Sequence, residues 1–157
     1  MSRFATLELG RFGQRVTLMV AAALSALLVD FVSKTVAVEL WPDALLFNVS
    51  DRMPFGLAAG LVIAGASSLL ACVLPIRLVA VGAGLALGGS LGNLASRHWW
   101  ADLGGAPDFI RFADGSTGNV ADLSIVAGIL FMLVSTVAWL AVTTFATGLA
   151  SWRCRCM

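Results

Sequence analysis

The sequence predicts an all-α membrane protein with four transmembrane helices and a small β-containing region in its extracytoplasmic loops. Three observations favour this fold class: an apolar composition, long stretches without charge, and charges sorted to the ends of those stretches. Hydrophobic residues make up 59% of the 157 residues and charged residues 12%, against roughly 45–50% and about 25% in soluble domains. A soluble domain of this length cannot bury so much apolar surface, which excludes a soluble enzyme. The net charge of +1 excludes a basic nucleic-acid binder, so we expect no nucleic acid partner.

The charge-free stretches define the predicted helices. They cover residues 16–29, 53–76, 78–96 and 123–152. About 20 apolar residues cross a bilayer core of roughly 30 Å, and the first stretch reaches that length only by continuing through Asp30 and Lys34. We therefore predict helices near 16–38, 55–74, 77–95 and 121–146, within one domain that spans residues 1–157.

The arginines predict the orientation. Six of them fall on one side of this four-helix arrangement: Arg3, Arg11, Arg15, Arg77, Arg153 and Arg155. Most acids fall on the other side, together with Arg52, Arg97 and Arg111. Basic residues favour the cytoplasmic side, so both termini are predicted there. A cleaved signal peptide is the alternative interpretation of the first helix, but no small-x-small cleavage site follows it cleanly.

Glycine spacing predicts close packing between helices of this one chain. Gly56 and Gly60 are four residues apart, as are Gly84, Gly88 and Gly92, and such spacing leaves a smooth groove that a second helix can approach. We expect a monomer. The outer loops 39–54 and 96–120 complete the fold, and extended segments are predicted at Leu45–Val49 and Phe109–Phe112.

Ionisable residues near the membrane are costly and mark candidate functional positions. Asp30 and Lys34 share a helix face, and a neutralising ion pair at the helix end is the structural alternative. Asp122 opens the last helix three residues after Asn119, where capping of free N–H groups is the alternative to catalysis. Asp108 follows a Gly-Gly-Ala-Pro turn and alone would be an ordinary loop acid.

Polar groups from three helix ends and two loops map to the same membrane face. Asn93 and Arg97, four residues apart, form either an interfacial anchor or a clamp for a substrate. The full set is Asp30, Lys34, Asn48, Asn93, Arg97, Asp108, Asn119 and Asp122. Two acids held close together do not both ionise easily, so one can keep its proton while the other activates water.

Five segments, in this order, resemble the bacterial lipoprotein signal peptidases, or signal peptidase II. They are Asp30-Phe31-Val32-Ser33-Lys34 (D-x-x-S-K), Phe47-Asn48, the run from Gly88 to Arg97 (G-G-A-L-G-N-L-x-D-R), Pro107-Asp108-Phe109-Ile110 (V-D-F-I) and the run from Gly118 to Asp122 (F-N-x-A-D). The resemblance implies a metal-free aspartic endopeptidase of the bacterial inner membrane with its site at the outer face. It also implies that part of the first outer loop forms a small β-sheet.

The resemblance assigns a role to each site residue. Asp108 and Asp122 are the implied catalytic acids. Asn48, Asn93, Arg97 and Asn119 would bind the substrate or order the acids, with Asp30 and Lys34 as support. The implied substrate is a prolipoprotein, cut before its diacylglyceryl-modified cysteine among membrane lipids. We expect no cofactor, and a single histidine makes a zinc peptidase an unlikely alternative.

Four features depart from the family pattern. Ser96 stands where an acid is usual, Arg111 stands where an acid is common, and residues 49–54 replace a small Gly/Ala-rich stretch. The interval between the two implied catalytic acids is also short. A catalytically diverged paralogue is therefore one alternative, and a non-enzymatic membrane scaffold or transporter subunit is another.

Overall fold

The computed structural model describes residues 3–48, 60, 62, 65–71 and 74–155. Its helices are α1 (Arg3–Leu40), α2 (the described helical residues 65–71), α3 (Arg77–Trp99) and α4 (Val120–Arg155). Its strands are β1 (Leu46–Asn48), β2 (Ala106–Asp108), β3 (Ile110–Arg111) and β4 (Thr117–Gly118). The protein is thus mostly helical, with small antiparallel sheets in the loops, as the sequence predicts.

Three helices of the described residues are long and apolar enough to cross a membrane. The candidate spans are Gly10–Leu40, Arg77–Trp99 and Val120–Thr147. Their outer surfaces are apolar: Leu28 is 63% exposed and Phe145 is 71% exposed, as expected for side chains that face lipid. The second predicted span, 55–74, lies half outside the described residues, and α2 falls within its described half and is helical.

The helix ends differ from the prediction because the absence of charge marks only the apolar part of a helix. Helix α1 continues to Leu40 and stops before Trp41-Pro42, where proline disfavours helical backbone in the residue that precedes it. Helix α3 continues to Trp99. The predicted outer loop 96–120 is therefore wrong at its start, since residues 96–99 remain helical.

Helix α3 is the central helix, and its glycines make this arrangement possible. Half of its most apolar window is buried, against 17% for α1 and 11% for α4. A Cβ on Gly84 or Gly88 would collide with the α1 backbone at Met19 or Ala23, and one on Gly89 would lie 2.5 Å from the Ala121 carbonyl oxygen. The predicted packing within one chain is confirmed for these glycines, because one side of α3 lies directly against the α1 backbone and another against the α4 backbone.

Replacing Gly88 by alanine is expected to destabilise the helix bundle by about 1–3 kcal/mol, the usual range for overpacking. The added methyl group meets the backbone of Ala23, which is not a flexible side chain able to move aside. Reversible unfolding in mixed micelles of increasing SDS content measures the change. Gly13→Ala is the matched control, because nothing lies within 4 Å of its added carbon. Equal stability of the two variants would contradict the packing argument.

Two small sheets join the outer loops. β1 pairs with β2 in antiparallel register, Leu46 opposite Asp108 and Asn48 opposite Ala106. Pro107 lies in the middle of β2. A strand of a two-stranded sheet tolerates a proline because its unpaired edge needs no N–H donor. β3 and β4 form a hairpin with Ile110 opposite Gly118. Strand is therefore present at Leu46–Asn48 of the first predicted extended segment and at Ile110–Arg111 of the second. Phe109 and Phe112 lie outside the strands, and Val49 lies outside the described residues.

Candidate active site

Most of the predicted site residues meet at one end of the bundle. The C-terminal parts of α1 and α3, the first turn of α4 and strand β2 all supply polar side chains there. Lys34 is fully buried, and Asp30, Asn119 and Asp108 are 1%, 2% and 5% exposed. Burial of this many polar groups is costly unless each one finds a partner. Their hydrogen bonds therefore fix the geometry of the site.

Lys34 is the donor at one end of this network. Its ammonium group donates to Asp30 Oδ2 at 2.7 Å, to Asn93 Oδ1 at 3.0 Å and to Ser96 Oγ at 2.9 Å. An ammonium has three N–H donors, so all three are used. The ion pair with Asp30 lies inside the bundle and does not mark the end of α1, which continues for six residues beyond Lys34.

Asn93 connects Lys34 to Asp122. Because an ammonium can only donate, the Asn93 side-chain oxygen faces Lys34, and the amide nitrogen therefore points the other way. That nitrogen donates to Asp122 Oδ1 at 2.7 Å. Lys34 thus sets the direction of the Asn93 amide and acts on Asp122 through it.

Asn119 and Asp122 form a reciprocal cap at the start of α4. The Asn119 backbone N–H donates to Asp122 Oδ2 at 3.1 Å, and the Asp122 backbone N–H donates to Asn119 Oδ1 at 3.3 Å. This is the capping-box arrangement, with Asn119 as the N-cap. The N–H of Ala121, which also lies in the first turn and has no partner within the helix, donates to Asp30 Oδ1 at 2.8 Å. Asp122 therefore caps the helix and also faces the network.

The β3–β4 hairpin brings Asp108 to Asn119. Asp108 precedes β3 and Asn119 follows β4, and the Phe109 N–H donates to the Gly118 carbonyl at 3.1 Å. Since Asn119 Oδ1 faces a backbone N–H, its amide nitrogen is free to donate elsewhere, and it donates to Asp108 Oδ1 at 2.7 Å. One asparagine thus contacts both acids. The short interval between them is largely occupied by this hairpin.

Two predicted site residues are less closely tied to this network. Arg97 is half-buried on α3, and its Nε is buried without a hydrogen-bond partner among the described residues. Asn48 lies in β1 opposite Ala106, and Leu46, two residues earlier in β1, lies opposite Asp108. The Asn48 side chain lies outside what the structure describes. The predicted segment 49–54 also lies outside the described residues.

Sequence reasoning missed three contributors to the site. Ser96 was noted only as a departure, but its hydroxyl accepts from Lys34 and donates to the Gly92 carbonyl at 2.6 Å. Gly92 lets α1 approach, because a Cβ there would lie 2.7 Å from Asp30 Oδ2. The Ala121 N–H is a backbone group with no side-chain signal. The spacing of Ser96 three residues after Asn93, on one helix face, was the available signal.

Replacing Ser96 by alanine is expected to lower the free energy of unfolding by about 1–3 kcal/mol, because one buried donor of Lys34 loses its acceptor. Unfolding in SDS-containing micelles measures the loss. Ser90→Ala is the matched control on the same helix, since the Ser90 hydroxyl bonds only to the carbonyl of Ala86 one turn away. If the free energy of unfolding falls equally in the two variants, the hydrogen bond from Lys34 to Ser96 adds nothing to stability.

Metal coordination has no candidate in the described part of the chain. No group of three or more histidine, cysteine, aspartate or glutamate side chains is placed there to hold a metal ion. The buried carboxylates instead face amide, ammonium and backbone N–H donors.

The helices define a multi-pass membrane protein, and a network of buried polar side chains lies at one end of its helix bundle. The family model of signal peptidase (SPase) II matches residues 47–138. The chain therefore belongs to the signal peptidase II family and is a peptidase by that membership.

Two solved structures of bacterial membrane enzymes, determined by the in meso method, share the fold. The first, at 2.3 Å resolution, has a TM-score of 0.58 and 20% identity and covers 76% of this chain and 87% of its own. The second, at 1.9 Å, has a TM-score of 0.58 and 19% identity and covers 75% and 91%. No curated protein matches the chain.

Proposed function

We propose that the protein is an aspartic endopeptidase that removes signal peptides from prolipoproteins, cleaving before the diacylglyceryl-modified cysteine. Membership of the signal peptidase II family supports the substrate class. The observation that carries the catalytic type is the contact of Asn119 with both acids, at 2.7 Å to Asp108 and through a reciprocal cap to Asp122.

The proposed reaction is amide hydrolysis by the Asp108/Asp122 pair. One carboxylate takes a proton from a water molecule, and the water oxygen attacks the scissile carbonyl carbon. The other acid, protonated at that moment, gives its proton to the amide nitrogen as the carbon–nitrogen bond breaks. One acid thus serves as the general base and the other as the general acid, the division of roles found in aspartic proteases.

The neighbouring polar groups have supporting roles in this proposal. Asn93 and Asn119 hold the acids in place. The unpartnered Nε of Arg97 is a donor available to a substrate carbonyl, since buried polar atoms without partners are rare and often functional. Asn48 is assigned to substrate binding through its place beside β2. Lys34 and Asp30 support the acids through their hydrogen bonds with Asn93 and the Ala121 N–H, and they do not contact the substrate.

The membrane arrangement is part of the same proposal. The chain crosses the bacterial inner membrane four times, with residues 55–74 as the second span, and both termini lie in the cytoplasm, where arginines are favoured. The site then lies at the outer face, where lipid-modified precursors are presented. The enzyme acts as a monomer without metal or cofactor.

The direct test is cleavage of a purified lipid-modified precursor by the purified protein in detergent micelles. We expect a new N-terminus at the modified cysteine, identified by mass spectrometry. The matched control is the same precursor with that cysteine replaced by serine, which cannot carry the lipid and should remain intact. A folded protein that cleaves neither precursor would favour a diverged paralogue or a membrane scaffold.

A further inference from the structure

A polar cavity lies at the end of the helix bundle opposite the acid network. It has a volume of about 200 Å³ and is lined by Arg11, Arg15, Pro75 and Arg77. Arg15 and Asp30 are both on α1, fifteen residues apart, which corresponds to roughly 22 Å along a helix that rises 1.5 Å per residue. The arginine cavity therefore lies at the other membrane interface from the acid network, and the proposed peptidase chemistry does not use it.

Two of the arginine side chains that line this cavity, Arg15 and Arg77, are held by hydrogen bonds that leave some of their donors unused. An Arg15 terminal nitrogen donates to the Leu74 carbonyl at 2.8 Å, and an Arg77 terminal nitrogen donates to Gln14 Oε1 at 2.9 Å. Each bond uses one of the five N–H donors of a guanidinium. The Nε of Arg15 is buried and has no hydrogen-bond partner among the described residues. Donors thus remain available for an anion.

A neighbouring cavity indicates what kind of anion would fit. It has a volume of about 370 Å³ and is lined by Gln14, Thr17, Leu18 and Arg77. Arg77 borders both cavities, so a ligand can place its anionic group among the arginines and an uncharged part beside Leu18 and Thr17. Guanidinium groups match phosphate oxygens in fork geometry. A free phosphate ion would leave the second cavity empty.

We propose that the two cavities together bind an anionic phospholipid, with its phosphodiester among Arg11, Arg15 and Arg77. Basic pockets between helix ends at the membrane surface are suited to lipid headgroups. No acidic side chain lines either cavity within the described residues, so a net negative headgroup is favoured over a zwitterionic one. The proposal is independent of the peptidase function.

Native mass spectrometry of the detergent-solubilised protein tests this proposal. Dioleoyl phosphatidylglycerol is expected to bind about tenfold more tightly than dioleoyl phosphatidylcholine, because both carry the phosphodiester but the choline cation of the second is repelled by the arginines. Inorganic phosphate alone is expected to bind at least about tenfold more weakly than the anionic lipid, because it lacks contacts in the second cavity. Equal binding of the two lipids would overturn the proposal. Phosphate binding as tight as lipid binding would assign the cavity to the free ion and also overturn it.

Two variants locate the binding. Arg77→Gln changes an exposed residue and is expected to lower phosphatidylglycerol affinity by about tenfold. Arg15→Lys keeps the charge but loses the fork geometry, so an intermediate loss is expected. Arg111→Gln, which removes one positive charge from the exposed β3 strand at the opposite end, is the matched control and should bind like the parent protein. Unchanged lipid binding by Arg77→Gln, with a melting temperature equal to that of the parent, would reject the site.

Discussion

Replacing either Asp108 or Asp122 by asparagine is expected to lower the rate of precursor cleavage by about 10²–10⁴-fold, the usual contribution of a positioned acid or base. Asparagine has nearly the shape of aspartate, but its amide group cannot act as a general acid or base as a carboxyl group does. Both acids accept a hydrogen bond from Asn119, which an asparagine oxygen can still accept. Asp122→Asn loses one acceptor, because Asp122 also accepts from the Asn93 amide through its other oxygen. We therefore expect both variants to fold, and kcat with the lipid-modified precursor measures the effect.

Asp114→Asn is the matched control for these two variants. Asp114 lies in the β3–β4 loop, between the two acids in sequence, but it is exposed. Hydrogen bonds from the Ser116 hydroxyl and the Ser116 backbone N–H lower the pKa of Asp114 below its usual value. An asparagine oxygen accepts the same two bonds, so the loop should keep its shape. Cleavage by this variant should equal that of the parent. Parental activity in both site variants would refute the paired-acid mechanism.

Replacing Lys34 by methionine is expected to lower the free energy of unfolding by about 3–5 kcal/mol, because it leaves a buried charge without its partner. Asp30 would remain in the bundle interior with its ammonium partner removed, and the acceptor oxygens of Asn93 and Ser96 would each lose a donor. Unfolding in SDS-containing micelles measures the loss of stability. Lys34→Met as stable as the parent would show that this ion pair contributes little.

A compensated double variant separates stability from catalysis. Asp30→Asn together with Lys34→Met removes both charges, and such neutral replacements are often well tolerated. An asparagine oxygen at position 30 can still accept from the Ala121 N–H. We expect the double variant to recover most of the stability but little of the cleavage activity, because nothing then fixes the Asn93 amide toward Asp122. Full recovery of activity would show that Lys34 acts only on stability.

The sequence predicts the helices and the composition of the site well because these depend on local patterns. Charge-free stretches locate α3 and most of α1 and α4. The Gly84/Gly88 spacing correctly predicts a helix face that another helix approaches, and the structure shows that this helix is α1. Ordered short motifs select the residues that later meet in the network. Each of these inferences rests on spacing along the chain, which maps directly onto a helix face.

The sequence by itself determined the membrane fold class, the family resemblance and the set of candidate acids. Only the tertiary structure decided how these residues connect. Whether Asp122 caps a helix or faces a partner acid, and which way the Asn93 amide points, depend on groups brought together from α1, α3 and α4. Hydrogen-bond direction is set by three-dimensional neighbours such as the Lys34 ammonium and the Ala121 N–H, and no sequence pattern records a backbone donor. The arginine cavity also depends on the tertiary structure, because folding brings Arg11 and Arg15 of α1 next to Pro75 and Arg77, which lie far away in the chain.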